Sequence, residues 1–422
     1  MALAIRCGCG VMLAALAGAA MAAEAGPATR LSVTPVLEPD PAVMKIIDGL
    51  GDGESALLPK LRTAGDINDV ARRWGLDKRG PGHRDYCIKM AWMPDRRRAV
   101  FCGANHGVPH RLNDVWEYDL PSNTWVCLYA PDKSKNARRE NWNDVVVDKN
   151  GVFRTKRGGP ASVGHEYWRM TYDPEQRMLM WFCHWGIDPA FSKEMAKKMG
   201  AKAFRPPTWL FYPYERRWQP VTASTFSGGK PIAQNVGSLE YVPDLGGIVW
   251  IANNWQGRGM WVYNAKADTW RNLKPNGGNV KAFQANAVTS IMTYLPDRKL
   301  IVAQGRRGKL HEPDQPGVTA QYDVAKNAWR KVAEGSDVPP GHVAFTNIAY
   351  DRVGRVVLLW DSRWSKAVWA YDPDAVTWTK LKPTGPPPPT KGGDHRLAYY
   401  DPARNVFVIP GRWVYRHKAR EK

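Results

Sequence analysis

Short apolar runs, broken every few residues by Pro, Asp, Gly or Asn, dominate the chain and read as strands joined by tight turns. Six stretches follow one plan: MAWMPDRRRAVFC, MTYDPEQRMLMWF, LEYVPDLGGIVWI, MTYLPDRKLIVAQ, IAYDRVGRVVLLW and LAYYDPARNVFVI. In each, an aromatic residue (Trp92, Tyr172, Tyr241, Tyr294, Tyr350, Tyr400) precedes a turn and then an apolar run. The turn residues pre-set or tolerate the required backbone angles, and the flanks are β-formers, so each stretch predicts a hairpin. A second hairpin follows five of them: VWEYDLPSNTW, WLFYPYERRW, MWVYNAKADTW, TAQYDVAKNAW and VWAYDPDAVTW. Tyrosine and tryptophan stand seven residues apart in four of these, and six apart from Tyr212 to Trp218. Four strands per unit, recurring about every fifty residues, predict a β-propeller whose aromatics pack between blades.

These repeats resemble the kelch-repeat β-propeller family, through the turn after the first tyrosine and the late Tyr…Trp pair. The resemblance covers Gly82 to Arg416, residues 82–416, and implies an all-β, six-bladed kelch-type propeller. The glycine doublet of that family is replaced by CGAN, CHWG, IANN, AQGR, LWDS and IPGR. The sixth copy runs into RWVYRHKAREK and lacks a fourth strand, leaving residues 417–422 as a tail. An open edge invites mispairing, so the missing strand is expected from the N-terminus, with LSVTPVLEP (Leu31–Pro39) chosen for its alternation. Residues 23–81 should hold that strand and two or three short helices over MKIIDGL, SALLPKL and INDVARRWGL.

Residues 1–22 read as a signal peptide: one arginine, an apolar run, and a small-x-small site at Ala20-Met21-Ala22. No later stretch has the ~18 apolar residues of a membrane span. An exported protein, periplasmic or extracellular, is therefore expected, and it is expected to be a monomer. The net charge of +20 favours an anionic partner. In an exported protein without a nucleic-acid module, acidic polysaccharide or oligosaccharide fits that charge better than nucleic acid. Cys87 and Cys102 flank the turn MPDR and could face each other across a hairpin, although four mature cysteines allow three pairings.

Propeller geometry sorts the loops by face. Connections after the second strand and between blades emerge together, and here they are long; the hairpin turns on the opposite face are short and plain. Eight of the nine histidines fall on the long-loop side. Two basic insertions, Asp132–Pro160 and Phe191–Pro207, enlarge it. Removing a proton beside a uronate carboxylate needs a cation to neutralise the acid and a His or Tyr to move protons. His165 and Tyr167 of GHEYW, with His106 or His110 from the neighbouring blade, are the candidate catalytic set. Arg84, Asn253, Asn254, Arg306, Arg363, Arg396 and Arg412 are the candidate substrate-binding set, since guanidinium forks bind carboxylate in bidentate fashion. No metal and no cofactor enter this reading. A lyase or epimerase acting on acidic sugar is one function; a non-catalytic propeller binding an envelope polysaccharide or a protein is the other.

Overall fold

The computed structural model describes residues 36–420, apart from 83, 85, 104–111, 133–144, 149–151, 162, 164–165, 183–207, 222–236, 253–258, 277–289, 307–315, 343 and 393. Six sheets carry the fold, antiparallel but for one added strand in blade one; in blades two to five the first strand is innermost and the last outermost, and in blades one and six an earlier segment takes the outer edge. The inner strands are Ala91–Met93, Met170–Asp173, Ser238–Val242, Ile291–Leu295, Thr346–Asp351 and Tyr399–Asp401, in blades one to six. Each packs against the next, and the sixth packs against the first, so the ring closes. This is the expected six-bladed propeller.

Register explains the seven-residue interval. Tyr118 lies directly opposite Trp125, Tyr263 opposite Trp270, Tyr322 opposite Trp329 and Tyr371 opposite Trp378, across the turn joining the two outer strands. Their ring centroids stand 5.0 to 5.2 Å apart. In blade two the residue opposite Trp218 is Phe211, not Tyr212, and those rings lie 5.0 Å apart. The spacing is thus seven in all five blades, with phenylalanine standing in once. The turns end in a left-handed residue, and Asn123, Asp268 and Asn327 fill that place where the tyrosine hydroxyl donates to the same side chain at 2.6 to 2.8 Å.

Closure comes from the N-terminus, through a different segment from the one expected. The outer strand of blade six is Ser55–Leu57, paired antiparallel with Trp413–Tyr415. Leu31–Pro35 lie outside the described residues, and Val36 to Asp40 form no strand. Pro35 would withhold a donor in the middle of the chosen stretch. Ser55–Leu57, expected to be helical, is too short to show alternation. Its place is fixed by backbone bonds on both flanks: Gly53 N to Arg416 O at 2.9 Å, and Leu58 N to Arg412 O at 2.9 Å. A second strand, Arg62–Gly65, then joins blade one in parallel beside Thr124–Tyr129. One segment therefore completes the last blade and extends the first. Three short helices, Pro41–Asp48, Asp69–Arg73 and Leu76–Arg79, accompany it. Arg416 holds the first of them, donating to Ile47 O at 3.0 Å near its C-terminal end, where a cation is favoured.

Cys87 and Cys102 form no disulfide; both are buried thiols, as is Cys127. Cys87 Sγ accepts from the Glu166 N–H at 3.0 Å, and Cys102 Sγ lies 3.3 Å from Met170 Sδ. Oxidation would remove a buried acceptor that Glu166 uses. Among the described residues no helix is long and apolar enough to cross a membrane.

Candidate functional site

The segments entering the inner strands bring side chains from several blades to the axis on the long-loop face. Tyr86, ahead of blade one, has its ring 5.4 Å from Tyr167 of blade two and 6.1 Å from His342 of blade five. Blades one and five are not neighbours, so these contacts reach over the funnel. His342 is buried and its Nδ1 accepts from the Ala344 N–H at 3.0 Å, which places the proton of the neutral ring on Nε2. Phe345 stacks on His342 at 4.7 Å, and Trp364 stands edge-on to Phe345 at 5.5 Å.

Three arginines converge on these rings. The guanidinium of Arg306 lies 4.9 Å from the Trp364 centroid, that of Arg363 4.6 Å and that of Arg396 4.9 Å from Phe345. Arg306 is buried, Arg396 half-buried and Arg363 exposed. Asp361 fixes the turn that carries Arg363 and Trp364, because its carboxylate accepts from the N–H groups of Arg363, Trp364 and Ser365 at 3.1, 3.2 and 2.6 Å. A guanidinium resting on an aromatic face is attracted by the ring and held with little rotamer freedom.

Glu166 closes the inner wall of this end. It is fully buried, it accepts from the Lys89 N–H at 3.2 Å, and burial pushes its carboxyl up to about 8, with Lys89 and Arg169 pulling the other way. The group keeps its proton through neutral pH. The next two residues, Tyr167 and Trp168, both have left-handed backbones, with φ of 48° and 67°. Such angles persist only where the surroundings impose them; here the Tyr167 N–H donates to Tyr86 O at 2.8 Å and Leu239 N to Trp168 O at 3.0 Å.

Of the expected residues, Tyr167, Arg306, Arg363 and Arg396 are therefore at the axis. Arg84 takes a structural place: fully buried, it grips Asp114 through two bonds of 3.0 and 2.7 Å. Arg412 lies in blade six beside Gly392, facing the buried Asp394, whose carboxyl burial raises to about 6. His106, His110, His165, Asn253 and Asn254 lie outside the described residues. Sequence reasoning missed Tyr86, Glu166, Phe345 and Trp364. The only signal was adjacency: HVAF runs from His342 to Phe345, DSRW carries Arg363 and Trp364, and GHEYW sets Glu166 between His165 and Tyr167.

The opposite face is not plain. The axis opens there into a cavity of about 580 Å³ walled by all six inner strands and rimmed by their turns.

No protein-family model and no curated protein matches the sequence. Solved structures with similar chain paths include TolB from Acinetobacter baumannii, with TM-score 0.34, 11% identity, 68% of this chain and 52% of that one. The GH74 xyloglucanase from Xanthomonas campestris has TM-score 0.41 and 14% identity, over 77% of this chain and 42% of that one. An auxiliary nutrient binding protein from Bacteroides thetaiotaomicron has TM-score 0.45 and 11% identity, over 86% and 76%. The chain spans about half the length, or less, of the first two.

Proposed function

We propose that the protein is an exported kelch-type propeller that binds acidic oligosaccharide or polysaccharide on its long-loop face. The observation that carries this reading is the pair Arg363 and Arg396, held 4.6 and 4.9 Å from one ring, Phe345. A uronate offers a carboxylate for the guanidinium forks and an apolar ring face for the aromatics, so one unit satisfies both. The net charge of +20 supplies long-range attraction for a polyanion.

Turnover on the same site would take a proton from the carbon next to the neutralised carboxylate. In a lyase the electron pair of that C–H bond forms the C=C bond while the glycosidic C–O bond breaks and its oxygen gains a proton. In an epimerase a proton returns to the same carbon from the other side. His165, His106 and His110 are the groups proposed to move those protons. A second reading, binding without turnover, is favoured by Tyr167: it is only 9% exposed and the Arg169 guanidinium sits 5.1 Å from its ring.

The test is titration of the protein with uronate oligosaccharides, followed by absorbance of the unsaturated product and a sugar-isomer assay. Binding with new product assigns an enzyme. Binding without product assigns a binding propeller. Absence of binding to every acidic oligosaccharide at low salt overturns both.

A further inference from the structure

We propose that the cavity on the short-turn face is a second binding site, for an uncharged polyhydroxylated ring compound one or two sugar units in size. Its volume of about 580 Å³ lies within the ~300–1,000 Å³ of ligand pockets. Blades one to four contribute Lys89, Thr171, Glu240 and Thr293 to the wall, blades five and six contribute Ile348 and Ala398, and Glu175 and Arg352 stand exposed in the lining.

Four charged residues line the cavity, Lys89, Glu240, Glu175 and Arg352; their formal charges sum to zero, and the two least exposed pair with each other. Lys89 Nζ stands 2.7 Å from Glu240 Oε2, and the two side chains are 5% and 18% exposed. An ion entering would meet a compensated pair and lose its hydration, so an uncharged ligand is preferred. Hydroxyl groups suit what remains. Thr171 and Thr293 line the cavity at 4% and 6% exposure, and among the described residues their side chains make no hydrogen bond. Each hydroxyl can donate and accept, as a sugar hydroxyl can. For the apolar face of a sugar ring there is Trp92, stacked on Tyr399 with centroids 6.1 Å apart and planes 16° apart.

The site is formed in advance and is separate from the long-loop face. Its rim is braced by hydrogen bonds between blades, from Tyr172 to Asp95 at 2.9 Å and from Tyr241 to Glu175 at 2.7 Å. Preorganised walls lower the ordering cost of binding. Its floor includes Lys89, which lies 5.3 Å from the ring of Trp168; that indole reaches from blade two to blade four and donates to Met292 O at 3.1 Å.

The experiment uses the full chain and tryptophan fluorescence, since Trp92 lines the site. Glucose, galactose, mannose, cellobiose, maltose and xylobiose are titrated, with glucuronate as the charged control. At least one neutral sugar is expected to bind with sub-millimolar to millimolar affinity, more tightly than glucuronate. Thr293→Val and Thr171→Val should each weaken it about tenfold, while Arg363→Ala/Arg396→Ala leaves it unchanged. Both threonine variants leave Lys89 and Glu240 in place, so a loss is not a folding defect if melting is unaltered. No response to any neutral sugar up to about 50 mM overturns the proposal. So does equal binding by both valine variants, or loss only in the arginine variant, which would return the sugar to the long-loop site.

Discussion

Tyr350, on the inner strand of blade five, donates its hydroxyl hydrogen to Asp297 Oδ1 on the turn of blade four at 2.7 Å. The same contact joins Tyr172 to Asp95, Tyr241 to Glu175 and Tyr294 to Asp244. In sequence the acid stands three residues after one blade's aromatic, and the next blade's tyrosine reads it. The pattern stops where Val353 and Ala403 occupy the acid's place and where Trp92 offers no hydroxyl. Those are the two junctions flanking blade six, the blade that the N-terminal segment closes.

The latch should be measurable. Burial, then the Asp297 carboxylate, raises the Tyr350 phenol well above its ordinary value, so the hydroxyl remains a donor throughout the neutral range. Tyr350→Phe should lower unfolding free energy by about 1–2 kcal/mol in urea denaturation, as expected for a hydrogen bond to a charged group. An unchanged midpoint would show the contact to be energetically idle.

Val376 ends the outer turn of blade five with φ of 58°, a left-handed angle that opposes a β-branched side chain. The equivalent residues in three other blades are Asn123, Asp268 and Asn327, which tolerate it. Val376→Asn should therefore stabilise by about 1 kcal/mol. Calorimetry of the variant checks this, and a lower melting temperature would mean that Val376 packing outweighs the strain.

Closure is tested by two truncations. A chain starting at Glu38 keeps Ser55–Leu57 and should melt like the whole protein. A chain starting at Lys60 loses that strand and the helix before it, and should aggregate or melt about 10 °C lower. Equal melting of the two would remove the closing role.

How far the sequence could be read follows from these cases. Period-two runs and the Tyr…Trp interval made the blades legible, because register fixes which residues face each other across a turn of constant length. Ser55–Leu57 was not legible: three residues carry no period, and its role depends on an edge formed more than 350 residues later. The arginines were legible as a set, since loop position sorts them by face. Arg84 and Arg363 look alike in sequence, however, and only Asp114, thirty residues from Arg84, makes one a buried structural ion while the other stays exposed. The cavity was not legible because its walls belong to strands whose alternation signals only burial.

Glu166 gives a pH signature. Its folded carboxyl titrates at about 8, and its unfolded one near 4.5. Between those values the unfolded chain has lost a proton that the folded chain retains, so this group's contribution to stability falls as pH rises from about 5 to about 8 and is level above. Glu166→Gln should remove that slope, and its advantage over the parent should grow across the window to a few kcal/mol at most. Asp394, raised to about 6, keeps its own slope in both proteins. Parallel stability curves for parent and variant from pH 5 to 8 would show that Glu166 is ionised in the fold.

The most direct measurement compares affinity for a uronate oligosaccharide between two paired variants at low salt. Arg363→Ala/Arg396→Ala removes the cations seated on Phe345; Lys266→Ala/Lys326→Ala removes equal charge from exposed turns on the other face. Arg96 and Arg298 are unsuitable controls, because their buried side chains hold Glu117 and Asp374 at 2.7 Å, whereas Lys326, which pairs with Asp323 at 3.1 Å, is 79% exposed. The arginine variant should bind at least about tenfold more weakly, and the lysine variant within about twofold of the parent, the gap narrowing as salt screens the charges. Equal losses in the two would make the basic balance a property of the whole surface and would contradict a site on the long-loop face.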